Sequence, residues 1–196
     1  MSSDTVVVLK RGKDKKVRNF YPWIQRGEVA EVNGDPEDGS LVRLVSSEGE
    51  FLAIASWNTQ SRFQARVISL EDEPIDQALF ERRFAAAICS RKNLVAGTNA
   101  RRIVFSEADL APGLIADDYD GHIVLQVRSL TMENLKDVWL PALIKVAKPK
   151  SVYERSEMQG RQEEGLPSFA GQLYGETPEE TTIEESGIRF IVPLKS

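Results

Sequence analysis

The sequence is poor in the side chains that form disulfides and bind metals. Its 196 residues include one cysteine, Cys89, and one histidine, His122. A single cysteine cannot form an internal disulfide, which fits the reducing cytoplasm. A zinc site needs several His or Cys ligands, so no metal is expected in this chain. His122 follows an Asp-Gly turn and is expected to be exposed.

Long apolar stretches are also missing. Apolar residues make up 41% of the chain, but charged residues interrupt them throughout. No stretch therefore approaches the roughly 20 residues that a membrane-spanning helix needs. The N-terminal apolar run Val6–Leu9 has neither the order nor the length of a secretion signal. These absences predict a cytoplasmic protein with no membrane partner.

The glycine pattern of nucleotide sites is absent as well. Gly160, Gly165, Gly171 and Gly175 lie among polar residues. A nucleotide-binding turn instead needs its glycines directly after an apolar strand, where the backbone can approach a phosphate closely. We therefore expect no cofactor-binding residue in this chain.

Basic charge is concentrated near the N-terminus, although the chain as a whole is acidic. The formal net charge is −5, but residues 10–18 hold six basic side chains against the single acid Asp14. Clustered cations neutralise phosphates and gain free energy from counterion release. The same pattern is typical of a solvated loop, and composition alone leaves both interpretations open. The six cations are Lys10, Arg11, Lys13, Lys15, Lys16 and Arg18.

Short apolar runs separated by turns predict an all-β unit over residues 1–70. The runs are spaced like the short antiparallel strands of a small barrel. They cover residues 6–9, 28–32, 41–45, 51–55 and 65–68. A barrel of this size must fill its interior with large side chains. Phe20, Tyr21, Trp23 and Trp57 are therefore expected mostly in its core.

After residue 70 the pattern changes and predicts a small α/β domain over residues 71–196. Pro74 follows an acidic cluster and marks the start of the first main helix. This helix continues to about residue 91 and buries Phe80, Phe84 and Ile88 on one face. Three strands near residues 103–105, 113–116 and 123–127 follow, with an Asp-Gly hairpin turn between the last two. They predict a small antiparallel sheet.

The remainder of the second domain is expected to hold one more main helix and two further strands. Thr131 is predicted to cap the helix, and Pro141 is predicted to kink or restart it. Residues 151–153 and 188–192 are predicted strands. The polar segment between them contains Gly and Pro and is predicted to be an irregular loop.

Two acids and the cysteine are the candidates for catalysis. Glu107 and Asp109 would share one face of a strand, but no nucleophile or electrophile lies near them in sequence. Pairing with Arg101 or Arg102 to hold the domains together is the expected role, because buried carboxylates need such partners. Cys89 follows small apolar residues on the predicted helix and is expected to be a buried side chain. The sequence therefore predicts no catalytic residue.

Three blocks of sequence together resemble a known family. They cover residues 18–24, 101–116 and 153–190, and the second, Arg101-Arg102-Ile103-Val104-Phe105-Ser106-Glu107 through Pro112-Gly113-Leu114, is the most specific. They are similar to the S-adenosylmethionine-dependent class I 23S ribosomal RNA cytosine-5 methyltransferases. That family has a PUA domain, a central α/β domain and a C-terminal methyl-transfer domain. The first two parts have counterparts here, so the resemblance implies the N-terminal portion of such an enzyme, lacking the catalytic domain.

The resemblance implies that the leading barrel binds ribosomal RNA and positions it for methyl transfer. The six cations above, together with Arg62 and Arg66, are the implied RNA contacts. Arg155 and Arg161 lie in a segment that borders the methyl-transfer domain in the family, which implies a substrate or interdomain contact, and structural pairing is the alternative. S-adenosylmethionine is implied for the full-length parent, with no cofactor in this chain.

Two further interpretations stay open at this stage. The chain can be a stand-alone, noncatalytic RNA-binding or protein-interaction module. Relatives with this architecture also suggest a homodimer.

Overall fold

The computed structural model describes residues 5–92, 94, 96–156 and 159–195. Residues 1–4 of the predicted first domain lie outside the described residues. The described chain contains two large sheets, each with its own hydrophobic cluster. We call residues 5–69, with the first sheet, the N-terminal unit, and residues 77–195, with the second sheet, the C-terminal unit.

The N-terminal unit is built on a six-stranded sheet. Its strands are β1 (Val6–Leu9), β2 (Trp23–Gln25), β3 (Val29–Asn33), β4 (Leu41–Val45), β5 (Phe51–Trp57) and β6 (Phe63–Ser69). The order is β2-β6-β5-β4-β1-β3, and the β1–β4 pair is parallel while the other neighbours are antiparallel. The five predicted runs all fall on strands. β2 was not predicted, because a three-residue strand carries too little periodicity to detect.

This sheet is strongly curved but has two free edges. The edge strands β2 and β3 are joined through only a short 3-10 turn, Arg26–Glu28. In a flat six-stranded sheet these edges would lie roughly 24 Å apart, whereas the connection reaches only about 15 Å. The sheet must therefore curl to bring its edges together. No ladder joins β2 to β3 in the described residues, so the expected barrel is not confirmed and the observed form is a half-open one.

The aromatic residues of the N-terminal unit do not all fill its core. Trp57 is buried as expected, and Trp23 is half-buried. Phe20 is 80% exposed and Tyr21 is 41% exposed, which corrects their predicted core position. Aliphatic side chains fill most of the interior instead. Phe20 comes shortly after a helix that ends at Arg18, and the backbone φ of Phe20 is 62°, in the left-handed region.

The C-terminal unit combines a five-stranded sheet, helices on it and a separate hairpin. In chain order its elements are α2 (Gln77–Arg91), β7 (Ala100–Phe105), β8 (Leu114–Tyr119), β9 (His122–Val127), α3 (Leu130–Asn134), α4 (Lys136–Ala147), β10 (Ser151–Ser156), α5 (Gln159–Gln162), β11 (Phe169–Gly175), β12 (Glu180–Glu185) and β13 (Ile188–Pro193). Helix α1 (Asp14–Arg18) belongs to the N-terminal unit. The sheet order is β11-β10-β9-β8-β7, and β12 pairs with β13 alone.

The three predicted strands, β7, β8 and β9, pair antiparallel as expected, but β10 adds a parallel neighbour, so the second sheet as a whole is mixed. β9 and β10 are parallel, while the β7–β8, β8–β9 and β10–β11 pairs are antiparallel. Helices α3 and α4 lie between β9 and β10 in the chain and supply the crossover that parallel neighbours require. The predicted hairpin is confirmed, since Asp120 and Gly121 have φ values of 55° and 85°, as a two-residue turn with both φ positive requires.

Helix boundaries differ from those predicted. α2 begins after Asp76, whose carboxylate accepts a hydrogen bond from the Leu79 backbone N at 2.9 Å, and not at Pro74. Its Phe80 and Phe84 are fully buried, as expected. Cys89 lies off the buried face of α2 and is exposed, so its predicted burial is wrong.

The second main helix is divided earlier than predicted. Ser129, not Thr131, accepts the capping hydrogen bond from the Met132 backbone N. The break falls at Leu135, between α3 and α4, and Pro141 lies inside α4. A proline there removes one backbone hydrogen bond, but the buried side chains of α4 anchor the helix on both sides of it.

Two other expectations are corrected in the C-terminal unit. The segment predicted as an irregular loop contains β11 and β12, and β11 pairs with β10 along its length. His122 is half-buried, with Nδ1 2.8 Å from Ser151 Oγ, because β10 covers it.

Candidate nucleic-acid interface

Three cations of the N-terminal basic run are held near the 3-10 turn after β2. Glu28 pairs with Lys16 at 2.7 Å and with Lys13 at 3.9 Å, and Lys10 donates to the carbonyl oxygen of Gly27 at 2.8 Å. Burial alone would raise the pKa of the Glu28 carboxyl, but its hydrogen bonds and the nearby lysine charges lower it below the usual value. Much of the positive charge of Lys13 and Lys16 is therefore neutralised within the protein.

The other three cations of the run differ in whether an acidic side chain pairs with them. Arg18 pairs with Asp14 at 3.1 Å and with Glu50 at 2.5 Å. Arg11 and Lys15 are exposed and have no ion-pair partner among the residues that the structure describes. Helix α1 produces this division, because it turns Val17 into the core and Lys15 outward. Arg11 and Lys15 thus have no partner for their charge, while Lys10 is held only by a neutral carbonyl oxygen.

A row of cations and aromatic rings continues from α1 across the surface of the N-terminal unit. Lys16 Nζ lies 4.3 Å from the centre of the Tyr21 ring, and Tyr21 meets Trp23 edge-on at 5.6 Å. Trp23 stacks on Phe63 at 5.1 Å with an interplanar angle of 19°. Two arginines each lie 5.6 Å from the Phe63 ring. We call this set the cation–aromatic track, and its members are Lys16, Tyr21, Trp23, Phe63, Arg62 and Arg66.

The track ends in a cleft between the two units, which we call the inter-unit cleft. The cleft has a volume of about 300 Å³. The N-terminal unit contributes Trp23, Phe63 and neighbouring side chains, and the C-terminal unit contributes the 3-10 helix Ser106–Asp109, the end of β9 and the region of α5. Its charged lining residues are Arg62, Arg66, Glu107, Arg128, Glu163 and Glu164.

Arg66 forms the main electrostatic link between the units. Its guanidinium lies 2.5 Å from Glu164 and 3.6 Å from Glu107, and both acids belong to the C-terminal unit. The Arg66 side chain is 17% exposed and the Glu164 side chain 5%. Asn58 and Ser61 also donate hydrogen bonds to Glu164. Such a buried pair needs all of these partners, because each carboxylate oxygen has lost its water.

Glu107 links the same two units through a second contact. Its carboxylate accepts a hydrogen bond from Trp23 Nε1 at 2.9 Å. Burial would raise the pKa of Glu107, but hydrogen bonds from Ser106 and Trp23 and the charge of Arg66 outweigh it and hold the pKa below its usual value. Glu107 is therefore a carboxylate at neutral pH, stabilised by these hydrogen bonds and by the Arg66 charge that it shares with Glu164.

The structure corrects the environment predicted for the two acids of this block. Glu107 and Asp109 lie on a 3-10 helix and not on a strand. Glu107 does link the two units, but through Trp23 and Arg66, not through Arg101 or Arg102.

Two other ion pairs of this block join residues within the C-terminal unit. Asp109 pairs with Arg91 at 2.8 Å. Arg102 pairs with Asp117 at 2.8 Å.

The remaining predicted site residues lie in the C-terminal unit. Arg161 is 2% exposed and its guanidinium donates to the carbonyl oxygens of Val127 and Pro167 at 2.6 and 2.7 Å, and it pairs with Glu133 at 3.0 Å. It therefore fixes the segment that follows α5, which carries Glu164. Arg155 is half-buried on β10 and is engaged within the protein.

Sequence reasoning missed Arg128, which lines the cleft from the C-terminal unit as Arg62 does from the N-terminal unit. Both arginines are exposed and have no ion-pair partner in the described part of the chain. Arg128 is isolated in sequence, directly after β9, and no charge pattern marks it. Only the packing of the two units brings it toward Arg62.

Glu107 provides a pH-dependent test of the inter-unit contact. Because its folded pKa is lowered, its stabilising contribution is complete above the unfolded value of about 4.3 and is lost as the pH falls through the folded value. We expect Glu107→Gln to lower the free energy of unfolding by about 1–3 kcal/mol at pH 7. The difference should stay constant down to about pH 5 and shrink below about pH 4. Urea titrations of both forms across this range would measure it, and a difference that grew at acid pH would contradict the assignment.

The comparisons with known proteins agree with the arrangement of the N-terminal unit. Residues 7–70 match the family model described as a PUA-like domain. The match covers about a third of the chain. It includes the whole first sheet except Val6, and the cation–aromatic track lies within it.

Over nearly its whole length the chain is similar to proteins about twice as long. It is 34% identical over 191 residues to "Ribosomal RNA large subunit methyltransferase I" of Vibrio cholerae, covering 96% of this chain and 48% of that protein. It is 36% identical over 196 residues to the protein of the same name from Tolumonas auensis, covering 97% and 49%. The chain thus spans about half the length of the curated relatives it matches.

Solved structures show the same fold. A protein from Streptococcus mutans assigned as a SAM-dependent methyltransferase superposes with a TM-score of 0.81 at 21% identity, over 97% of this chain and 49% of that one. A second structure, assigned as a methyltransferase and complexed with SAH, gives the same score over 48% of its length. At this level of identity the likeness concerns the fold alone.

Two further features, a metal-binding cluster and a membrane-spanning helix, are both absent from the described residues. They contain no group of three or more His, Cys, Asp or Glu side chains placed to hold a metal ion. Among them, every helix is too short or too polar to cross a bilayer.

Proposed function

We propose that this chain binds ribosomal RNA and positions it, as the N-terminal portion of a SAM-dependent 23S ribosomal RNA cytosine-5 methyltransferase. The observation that carries the proposal is the cation–aromatic track, which runs from the basic helix α1 into the inter-unit cleft. Basic side chains interleaved with aromatic rings are the surface that nucleic acid prefers, since cations meet phosphates and rings meet bases. The names of the curated relatives support ribosomal RNA as the ligand.

The proposal assigns different tasks to two domains. Residues 1–70 form the RNA-binding domain and residues 71–196 form the central domain that supports it. The separate hydrophobic clusters of the two units support this division. The buried contacts of Arg66 and Glu107 then fix one domain on the other, so that bound RNA has a defined orientation.

Methyl transfer is assigned to the part of the relatives that this chain does not match. We propose no catalytic or cofactor-binding residue in this chain, and S-adenosylmethionine serves the whole protein. The setting is cytoplasmic, where ribosomal RNA is modified. A homodimer is part of the proposal, and light scattering on the purified chain would test it.

RNA binding should depend on the two cations of α1 and its preceding turn that lack partners. We expect Arg11→Gln combined with Lys15→Gln to weaken binding of a structured ribosomal RNA fragment. The slope of log affinity against log salt should fall by up to about 1 for each lost phosphate contact. Fluorescence anisotropy at several salt concentrations would measure both quantities.

A matched control removes the same charge elsewhere. Lys92→Gln combined with Lys148→Gln changes two exposed lysines at the ends of α2 and α4 and should leave affinity and slope nearly unchanged. Equal effects in the two double variants would show that binding follows net charge alone. Absence of RNA binding even in dilute salt would favour a protein-interaction module.

A further inference from the structure

The inter-unit cleft combines an aromatic surface with two arginines that have no ion-pair partner among the described residues. Trp23 and Phe63 stack in its N-terminal wall. Arg62 lines the cleft from the N-terminal unit and Arg128 from the C-terminal unit, and neither has an ion-pair partner in the described residues. Rings that stack a base beside guanidinium groups that bind a phosphate are the two parts of a nucleotide site.

From this arrangement we infer that the inter-unit cleft holds one unpaired nucleotide of the bound RNA. The base lies against the Trp23–Phe63 pair and the adjoining phosphate lies between Arg62 and Arg128. The inference rests on the proposed function and specifies the RNA feature that this site recognises. It thereby assigns a role to Arg128, which sequence reasoning did not identify.

The size of the cleft favours a single nucleotide over a duplex. Its volume of about 300 Å³ lies at the lower end of the roughly 300–1,000 Å³ range of small-ligand sites. A base within a duplex is stacked on both sides and cannot enter such a space, whereas an unpaired base in a loop or bulge can be turned out toward an aromatic side chain. The ligand is therefore single-stranded at this point.

The charges of the cleft place the phosphate and the base at different ends. Arg66 is shared by Glu107 and Glu164, so these three groups together carry one net negative charge and offer no free cation to a phosphate. Glu163 is exposed at the rim and repels a phosphate, but its carboxylate can accept a hydrogen bond from an exocyclic amino group of a base. The phosphate is left to Arg62 and Arg128.

The walls of the cleft are held in place before any ligand arrives. Arg66 joins them through its two carboxylate partners, and buried Arg161 fixes the segment after α5. A Cβ at Gly160 would lie 3.3 Å from Arg128 Nη2, so glycine leaves room for that guanidinium. A preformed site loses less entropy on binding.

Trp23 makes the site measurable in the intact chain. The protein has three tryptophans, of which Trp57 is 3% exposed and Trp139 is 0% exposed. Trp23 is half-buried and lines the cleft. A base that stacks there should quench its fluorescence, while RNA bound only along α1 should not.

The experiment compares three probes on the full chain, namely a cytidine-containing single-stranded hexaribonucleotide, an RNA duplex of equal length, and cytidine monophosphate. We expect the single strand to quench Trp23 fluorescence and to bind at least about tenfold more tightly than cytidine monophosphate. The duplex should cause no quenching. Equal quenching by the duplex, or equal affinity for the free nucleotide, would overturn the inference.

Variants of the free arginines test the assignment of the phosphate. Arg62→Gln combined with Arg128→Gln should weaken the single strand about tenfold and abolish quenching, and Lys92→Gln combined with Lys148→Gln should do neither. Phe63→Leu keeps an apolar side chain and should lose about fivefold or more, as expected for one base–aromatic stack. Circular dichroism would verify that each variant is folded.

The outcomes separate this inference from the proposed function. Suppose that RNA binding depends on Arg11 and Lys15, but RNA does not quench Trp23 fluorescence and the cleft variants bind as tightly as the original chain. The inference is then wrong and the proposed function stands. If no form binds RNA in dilute salt, both are wrong.

Discussion

Replacing Arg66 with alanine is expected to lower the free energy of unfolding by about 3–5 kcal/mol. The guanidinium lies between Glu164 and Glu107 in a largely buried contact between the two units. Its removal leaves Glu164, with a side chain only 5% exposed, without its cation, and an uncompensated buried charge is among the most destabilising changes in a protein. Urea unfolding monitored by circular dichroism would measure the effect.

The control for Arg66 is an exposed ion pair. Lys145 and Glu81 join α4 to α2 at 2.8 Å, and the lysine side chain is 66% exposed. Lys145→Ala should cost less than about 1 kcal/mol. Arg66→Met combined with Glu164→Gln should recover part of the loss, because neutral partners need no cation. A loss for Arg66→Ala no larger than that for Lys145→Ala would contradict the role assigned to Arg66.

The Arg161→Ala variant is expected to lose a similar amount, about 3–5 kcal/mol. The side chain is 2% exposed, and its loss leaves the carbonyl oxygens of Val127 and Pro167 without their donor. Each unsatisfied buried acceptor costs roughly 1–3 kcal/mol. Glu133 loses its arginine at the same time. Urea unfolding at pH 7 would measure the loss.

The two arginine variants should also be coupled. The Arg161 guanidinium ties Pro167, which follows Glu164 in the chain, to Val127 at the end of β9, so its side chain helps to fix the segment that presents Glu164 to Arg66. The double variant should therefore lose less than the sum of the single losses. If Arg161→Ala weakened RNA binding without any loss of stability, Arg161 would be a substrate contact and its structural assignment would be wrong.

The strands of the N-terminal unit were the most predictable part of the fold. Each of the five predicted runs falls on a strand, and the first and third have the predicted bounds. The Asp120-Gly121 turn was equally predictable, because few residues tolerate two positive φ values in succession. These features depend on residues adjacent in the chain, so a local pattern is sufficient to identify them.

Element boundaries and burial were less predictable. Asp76 and Ser129 cap their helices in place of the residues suggested by the local pattern. Phe20 and Tyr21 lie on the surface, although large aromatic residues are usually buried. In each case several residues offered the same local signal, and packing selected among them.

The sequence by itself determined three features: the basic segment at α1, the strand periodicity of residues 6–68, and the succession of helices and strands after residue 70. Each depends on residues that are neighbours in the chain. Tertiary structure alone decided which cations stay free, that β9 and β10 are parallel, and that Arg62 and Arg128 face one cleft. The physical reason is that pairing and cleft formation join groups far apart in the chain, such as Arg66 and Glu164. Their energies depend on distance and burial, which no stretch of sequence encodes alone.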